Sequence, residues 1–147
     1  MKDAVSAVLR ERVRSRAYGV CEYCLIHQRQ AWYAYHVDHI ISRKHGGRTT
    51  FENLALACSI CNNAKGTDLG SLTQPGNVLI RFYHPRRDRW AEHFLMNETG
   101  VITPLTEVGE VTSRIFGFND HERLLERRAL LSVGEFPSIE ALALMRE

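Results

Sequence analysis

The segment that decides the fold runs from residue 21 to residue 66 and reads CEYCLIHQRQAWYAYHVDHIISRKHGGRTTFENLALACSICNNAKG. All four cysteines of the chain lie in it as two C-x-x-C pairs, Cys21/Cys24 and Cys58/Cys61. A C-x-x-C turn can hold two thiolates at the Zn–S distance of about 2.3 Å, and two such pairs complete a closed tetrahedral site. The spacing therefore predicts a structural zinc ion held by the four cysteines.

Disulfides or a redox-active thiol pair are the alternative interpretations of these cysteines. A chain of 147 residues can bury most of its apolar surface without covalent staples. Its first residues, MKDAVSAVLRERVRSRA, lack the apolar core of a secretory signal peptide, and no run approaches the roughly 20 apolar residues of a membrane span. We therefore expect a cytoplasmic location, where thiols stay reduced and zinc binding is favoured over disulfides.

The residues between the two cysteine pairs predict a strand, a loop, a second strand and a short helix. Residues 31–40 are aromatic and β-branched, which is typical of a strand, and Gly46-Gly47 marks the loop that follows. A second strand is expected around Leu54–Ala57. A helix is then expected from about Ser59 to Lys65, stopped by Gly66.

The flanking segments complete an α+β fold. An amphipathic helix is predicted over residues 3–17, with Asp3 as its N-cap. Residues 71–147 predict a C-terminal extension packed on the core, with a hairpin turning at Glu98-Thr99-Gly100. The other predicted elements of the extension are a strand at Val78–Tyr83 and helices at Thr106–Phe116, Asp120–Ser132 and from Pro137-Ser138 to near Met145. We therefore predict a core over residues 1–70 and a mostly helical extension over residues 71–147.

Basic residues are concentrated in the half of the chain that holds the cysteines. Residues 1–70 contain ten lysines and arginines against six acidic residues, whereas residues 71–147 contain nine against eleven. A face that binds phosphates needs such a positive balance. An unevenly charged but merely solvated surface is equally compatible with these counts.

Four polar residues lie inside the cysteine frame. Asp38 and His39 end the first predicted strand, Asn53 opens the second, and Asn62 follows Cys61 in the helix. Each of them alone has an ordinary structural explanation, as a surface charge, a satisfied histidine, a turn residue or a helix cap. Their combination inside one zinc frame favours a functional site.

In these blocks the sequence resembles the HNH endonuclease family, the zinc-stapled branch of the ββα-metal nucleases. The matching stretches are CEYC at 21–24, VDHIIS at 37–42, HGG at 45–47 and NLALACSICNNAKG at 53–66. More loosely, FYHPRRDRWAEHF at 82–94 resembles the extension of small bacterial stand-alone members. The resemblance implies a ββα-metal core on a four-cysteine zinc knuckle, and hydrolysis of DNA to 5′-phosphate and 3′-hydroxyl ends.

The resemblance also implies a role for each of the four polar residues. His39 would be the general base, since an unperturbed histidine, with a pKa of about 6.5, can accept a proton from water near pH 7. Asp38 and Asn62 would supply oxygen ligands to one Mg²⁺ or Mn²⁺ ion. Asn53 would orient the loop that carries His39 through amide hydrogen bonds.

Strand geometry and the charged residues nearby add further candidates. Strict alternation would put Asp38 and His39 on opposite faces of their strand and His36 beside Asp38, which makes His36 a reserve metal ligand. Candidate phosphate contacts that position the duplex, with solvated side chains as the alternative, are Lys65, Arg43, Lys44 and Arg48.

Three classes of function are compatible with the sequence: a nuclease, a non-catalytic zinc-dependent nucleic-acid-binding module, and a protein-interaction module built on the C-terminal helices. Asp38-His39 together with Asn62 favours the nuclease, because a binding module needs no base beside a metal-binding carboxylate. DNA is the expected partner, and we expect neither a membrane nor an organic cofactor. Target sequence and oligomeric state stay open.

Overall fold

A computed structural model of the chain describes residues 4–146. Its helices and strands, in chain order, are α1 (Ala7–Arg16), β1 (Tyr35–His39), β2 (Leu54–Cys58), α2 (Ser59–Lys65), β3 (Gly70–Leu72), β4 (Leu79–Arg81), α3 (Trp90–His93), β5 (Phe94–Met96), β6 (Ile102–Pro104), α4 (Glu107–Phe116), α5 (His121–Ser132) and α6 (Ile139–Arg146). The strands of the described part form three antiparallel pairs, β1–β2, β3–β4 and β5–β6. The α+β class is confirmed, with a ββα core, one preceding helix and a C-terminal part that is mostly helical.

The N-terminal helix begins later than predicted. Asp3, the predicted N-cap, lies outside the described residues, and the N-cap of α1 is Ser6. The Ser6 side chain accepts a hydrogen bond of 3.1 Å from the backbone N–H of Leu9, which satisfies one donor of the first turn.

The β1–β2 hairpin has two faces, and its register assigns each side chain to one of them. Residues directly opposite each other in an antiparallel pair share a face. One face holds the pairs Tyr35↔Cys58, Val37↔Leu56 and His39↔Leu54, and the other holds His36↔Ala57 and Asp38↔Ala55. Asp38 and His39 therefore lie on opposite faces, as strand alternation requires.

A helix covers each face of this hairpin. Val13 of α1 and Ala17, the C-cap of that helix, pack in a small core cluster with Leu54 and Leu56 of β2. On the other face, α2 packs against both strands, and its last residue, Lys65, reaches Asp38. All five residues of β2 are buried because both faces of the strand are covered.

Aromatic side chains from both sides of residue 70 share the main core. Tyr23, next to the first cysteine pair, packs against Phe116 of α4 with ring centroids 5.1 Å apart. The indole of Trp90 in α3 donates a hydrogen bond of 2.9 Å to the carbonyl oxygen of Tyr23. The C-terminal elements thus pack directly on the cysteine-bearing turn.

Two short elements of the extension were not predicted, and one was misjudged in length. β3 and α3 have three and four residues, too few to show a hydrophobic period. The predicted strand at Val78–Tyr83 is shortened to Leu79–Arg81, because Phe82 and Tyr83 leave the β3 edge and enter the core. Within residues 4–146, no helix has the length and apolar composition that crossing a membrane needs.

Candidate metal and catalytic site

The four cysteine thiols converge in the interior, at the foot of the β1–β2 hairpin. All four side chains are buried and none forms a disulfide, and their sulfur atoms all lie within 4.8 Å of one another. Cys24 Sγ and Cys58 Sγ are 3.8 Å apart. Sulfurs about 2.3 Å from a tetrahedral ion are about 3.8 Å from one another, so the cluster fits a zinc ion.

The backbone of each C-x-x-C turn also suits thiolate ligands. The N–H of Cys24 points at Cys21 Sγ over 3.5 Å, and the N–H of Cys61 points at Cys58 Sγ over 3.4 Å. Burial raises the pKa of Cys21 and Cys61, whereas hydrogen bonds from the neighbouring thiols lower that of Cys24. A coordinated cation deprotonates such thiols, which makes this buried cluster a metal site in its chemistry as well as in its shape.

A buried arginine from α5 contacts the cluster, and the sequence did not suggest it. Arg123 is 4% exposed, and its Nη2 lies 3.4 Å from Cys61 Sγ and 3.8 Å from Cys58 Sγ. It also donates to the carbonyl oxygen of Phe116 over 3.0 Å. A zinc ion with four thiolates carries an excess of negative charge, which this guanidinium offsets. Arg123 lies 62 residues from Cys61 in sequence, so only the tertiary fold reveals the contact.

Asp38 is buried and both of its oxygens accept hydrogen bonds. Tyr23 Oη donates to Oδ2 over 2.8 Å, and Lys65 Nζ donates to Oδ1 over 3.2 Å. Burial raises the pKa of Asp38, and the Lys65 ammonium and the Tyr23 hydroxyl oppose that rise. Neither Tyr23 nor the Lys65 ion pair was anticipated as part of the site.

Lys65 differs most from its expected position. We expected a phosphate contact, but its side chain is only 3% exposed and its ammonium group also donates to the carbonyl oxygen of His39 over 2.9 Å. The reason is that α2 packs on the hairpin face that holds Asp38, and the long lysine side chain reaches the buried carboxylate. In this arrangement Lys65 acts on Asp38 and not on the solvent side.

His39 ends β1 on the opposite face and is partly exposed. Its Nε2 lies 2.9 Å from Thr49 Oγ1, within hydrogen-bonding distance, and this contact orients the ring. The N–H of the next residue, Ile40, donates to the carbonyl oxygen of Asn53 over 2.8 Å. The Thr49 hydroxyl therefore orients the imidazole, and the Ile40–Asn53 hydrogen bond fixes the strand end that carries it.

Asn53 clamps the loop between the two strands. Its Oδ1 accepts from the Ile41 N–H over 3.0 Å, and its Nδ2 donates to the carbonyl oxygens of Ile41 at 2.9 Å and Arg48 at 2.8 Å. Gly47 lies tightly inside this loop, where a Cβ would stand 1.7 Å from the Ile41 carbonyl oxygen and 2.9 Å from Asn53 Nδ2. Only glycine fits at position 47, which gives a physical reason for the second glycine of the pair.

Asn62 lies in α2 and is partly exposed. Within the described chain no hydrogen bond engages its side-chain amide. His36 is exposed on the same hairpin face as Asp38, and no hydrogen bond among residues 4–146 joins Asp38 to either His36 or Asn62. Arg43, Lys44 and Arg48 are exposed on the loop.

Asp38 and Asn62 each carry an oxygen atom of the type that a hard divalent cation accepts. A carboxylate offers about four lone-pair positions, of which Tyr23 and Lys65 use two on Asp38. The Asn62 amide oxygen is a neutral ligand of the kind that Mg²⁺ and Mn²⁺ accept. Asp38 and Asn62 thus have the chemistry for such an ion, although Asp38 is already paired with a cationic side chain.

A model of a known protein family matches part of the chain. Residues 21–68 match the model of a family described as HNH endonuclease. No curated protein is similar enough to the chain to count as a match. The matched span holds both cysteine pairs, the β1–β2 hairpin and α2, which are the parts that the zinc cluster ties together. Residues 21–68, about a third of the chain, are thus similar to the HNH endonuclease family.

Proposed function

We propose that this protein is an HNH endonuclease that hydrolyses DNA phosphodiester bonds with one divalent metal ion and His39 as general base. The observation that carries the proposal is the position of His39. It ends β1 opposite Leu54, with its ring held at Thr49 and its loop clamped by Asn53. A general base needs such a fixed orientation, because proton transfer depends on hydrogen-bond geometry to the attacking water.

In this proposal His39 accepts the proton of the water that attacks the phosphorus atom, leaving 5′-phosphate and 3′-hydroxyl ends. Asp38 and Asn62 would hold Mg²⁺ or Mn²⁺, with the exposed His36 as a reserve ligand. When bound, the ion stabilises the negative charge that develops on the phosphate and on the leaving oxygen.

The other residues of the site position these groups. Asn53 is a positioning residue that keeps the loop closed, and Lys65 acts through Asp38. Arg43, Lys44 and Arg48 are exposed and would contact phosphates of the duplex without reading its sequence. The division into a nuclease core over 1–70 and an extension over 71–147, and a cytoplasmic location, belong to the same proposal.

A specific observation favours one alternative, a non-catalytic zinc-dependent module that binds nucleic acid. Asp38, the only carboxylate among the candidate ligands, is buried and bonded to Tyr23 and Lys65. If that ion pair persists in the presence of Mg²⁺, the carboxylate is a structural group. The zinc cluster and the exposed basic loop would then serve binding alone.

The test is a plasmid-nicking assay with the purified, zinc-loaded protein in Mg²⁺ or Mn²⁺, with EDTA as the blank. His39→Ala should lower cleavage by about 100-fold or more, the contribution expected of a general base. Zinc content and DNA affinity should stay unchanged. The matched control is His121→Ala, which removes an exposed histidine on α5, and this variant should cleave normally.

The opposite results are equally informative. Zinc-loaded protein that binds DNA but cleaves none with either ion would replace the nuclease by the binding module. Loss of folding in His39→Ala would make the histidine structural.

A further inference from the structure

The first helix lies on the same side of the hairpin as His39. His39 is paired with Leu54, and Val37 with Leu56, so these four side chains share one face. It is against this face that α1 packs, through its buried apolar residues. Substrate that reaches His39 from this side therefore passes close to α1.

Arg16 ties α1 to the strand position opposite His39. Its Nη1 donates to the carbonyl oxygen of Phe51 over 2.7 Å, and its Nη2 donates to the carbonyl oxygen of Leu54. Its guanidinium carbon lies 3.8 Å from the centre of the Phe51 ring. Both terminal nitrogens of Arg16 thus donate to the backbone beside the site, so this residue anchors the helix.

Arg12 stacks on the same ring but has no acidic partner. Its guanidinium carbon lies 4.2 Å from the Phe51 ring centre, and the side chain is exposed. In the described part of the chain, Arg12 forms neither a hydrogen bond from its side chain nor an ion pair. Arg14, by contrast, pairs with Glu11 at 2.8 Å. The ring orients the Arg12 guanidinium and leaves its N–H edge available for an anion.

Helical spacing separates the arginines of α1 into two edges. At about 100° per residue, Arg12 and Arg16 fall on one side of the stripe that Val13 buries, and Arg10 and Arg14 fall on the other. Phe51 follows the exposed Arg48 and the His39 partner Thr49 in the chain. The loop that holds the exposed Arg48 and the His39 contact therefore leads directly to the ring on which Arg12 lies.

We propose that Arg12, held on the Phe51 ring, contacts the DNA backbone beside the scissile phosphate and extends the substrate surface from the loop onto α1. The inference rests on the proposed function, since it takes duplex DNA as the substrate. A phosphodiester is the ligand that fits, because a planar guanidinium with free N–H donors binds phosphate oxygens in a bidentate manner. The contact adds affinity and positions the strand, and it carries no sequence preference.

The experiment measures DNA binding separately from cleavage. Full-length, zinc-loaded His39→Ala protein, the parent here, is titrated onto a fluorescent duplex at several salt concentrations. The same titration is made with three double variants, in which the parent also carries Arg12→Ala, Phe51→Leu or Arg10→Ala. Arg12→Ala should weaken binding about three- to tenfold and reduce the slope of log affinity against log salt by about 0.9, the loss of one phosphate contact. Phe51→Leu should weaken binding through the lost ring. Arg10→Ala, with the same charge on the other edge of α1, should bind like the parent.

Equal weakening by Arg10→Ala and Arg12→Ala would overturn the proposal, since it would reveal only a general charge effect. An unchanged salt slope in Arg12→Ala would overturn it as well. A parent protein that binds no duplex contradicts both this inference and the proposed function. If only the nuclease activity is absent, the result is different. DNA binding then still depends on Arg12, but the protein with His39 intact does not cleave DNA.

Discussion

At the scale of single residues, the contact between Lys65 and Asp38 shapes the site. Both side chains are almost fully buried, and the lysine gives one donor to the carboxylate and another to the His39 carbonyl oxygen. Burying two charges costs solvation energy, so the pair is of little net benefit unless its hydrogen bonds are complete. Here Tyr23 adds a hydrogen bond to the carboxylate oxygen that Lys65 does not contact.

Replacing only one partner should therefore be costly. We predict that Lys65→Met lowers the free energy of unfolding by about 3–5 kcal/mol, because it leaves the Asp38 charge buried without its cation. Urea denaturation of the zinc-loaded protein measures the change. The control is Lys44→Met, an exposed lysine, which should shift stability by no more than about 0.5 kcal/mol. A loss below about 1 kcal/mol in Lys65→Met would mean that the ion pair is open to solvent.

At the scale of elements, α5 connects the extension to the zinc cluster. The guanidinium of Arg123 extends from this helix to the sulfur atoms of Cys58 and Cys61. One turn later, the carboxylate of Glu126 accepts a hydrogen bond of 2.9 Å from the Tyr33 hydroxyl. The helix therefore places a positive charge beside the four-cysteine cluster. Groups that hydrogen-bond to metal ligands commonly change metal affinity by about 10- to 100-fold.

We predict that Arg123→Met releases zinc to a chelator about 10- to 100-fold faster than the parent protein. The physical reason is that four thiolates around one zinc ion lose the cation that offsets their charge. Release can be followed with a colorimetric zinc indicator. Arg128→Met, on the same helix but bonded to the Thr99 carbonyl oxygen, is the matched control and should release zinc at the parent rate. Equal rates in all three proteins would remove Arg123 from the metal site.

At the scale of the whole molecule, the four-cysteine cluster lies inside a core that the extension completes. The four cysteines belong to the same cluster of buried residues as Trp90, Phe94, Phe116 and Phe118. Loss of the metal would leave four thiols at its centre that no longer hold the two turns together. A zinc site of this kind contributes directly to folding free energy.

Removal of zinc should therefore unfold the chain as one unit. We predict that a strong chelator abolishes the helical circular dichroism of α4, α5 and α6 together with the near-ultraviolet signal of Trp90, and that added zinc restores both. Calcium added after chelation serves as the control and should restore neither, because it prefers oxygen ligands. Persistence of the helical signal in metal-free protein would show that the extension folds independently.

Local spacing predicted a large part of this molecule. The helix expected at Ser59–Lys65 has those bounds, and the strand expected at Leu54–Ala57 extends by one residue to Cys58. The two cysteine pairs were assigned to one cluster, and the hairpin at Glu98-Thr99-Gly100 formed between β5 and β6. These features depend on residues that are close in sequence, or on thiols whose chemistry leaves few partners.

The sequence by itself thus determined the α+β class, the grouping of the four cysteines and the similarity of residues 21–68 to the HNH endonuclease family. Only the tertiary structure decided that Asp38 pairs with Lys65, that Arg123 faces the cysteine sulfurs and that α1 covers the His39 face. Periodicity shows which residues of a helix are buried, but not which strand or which charge they meet. Those contacts depend on how distant segments pack, and packing is a property of the whole chain.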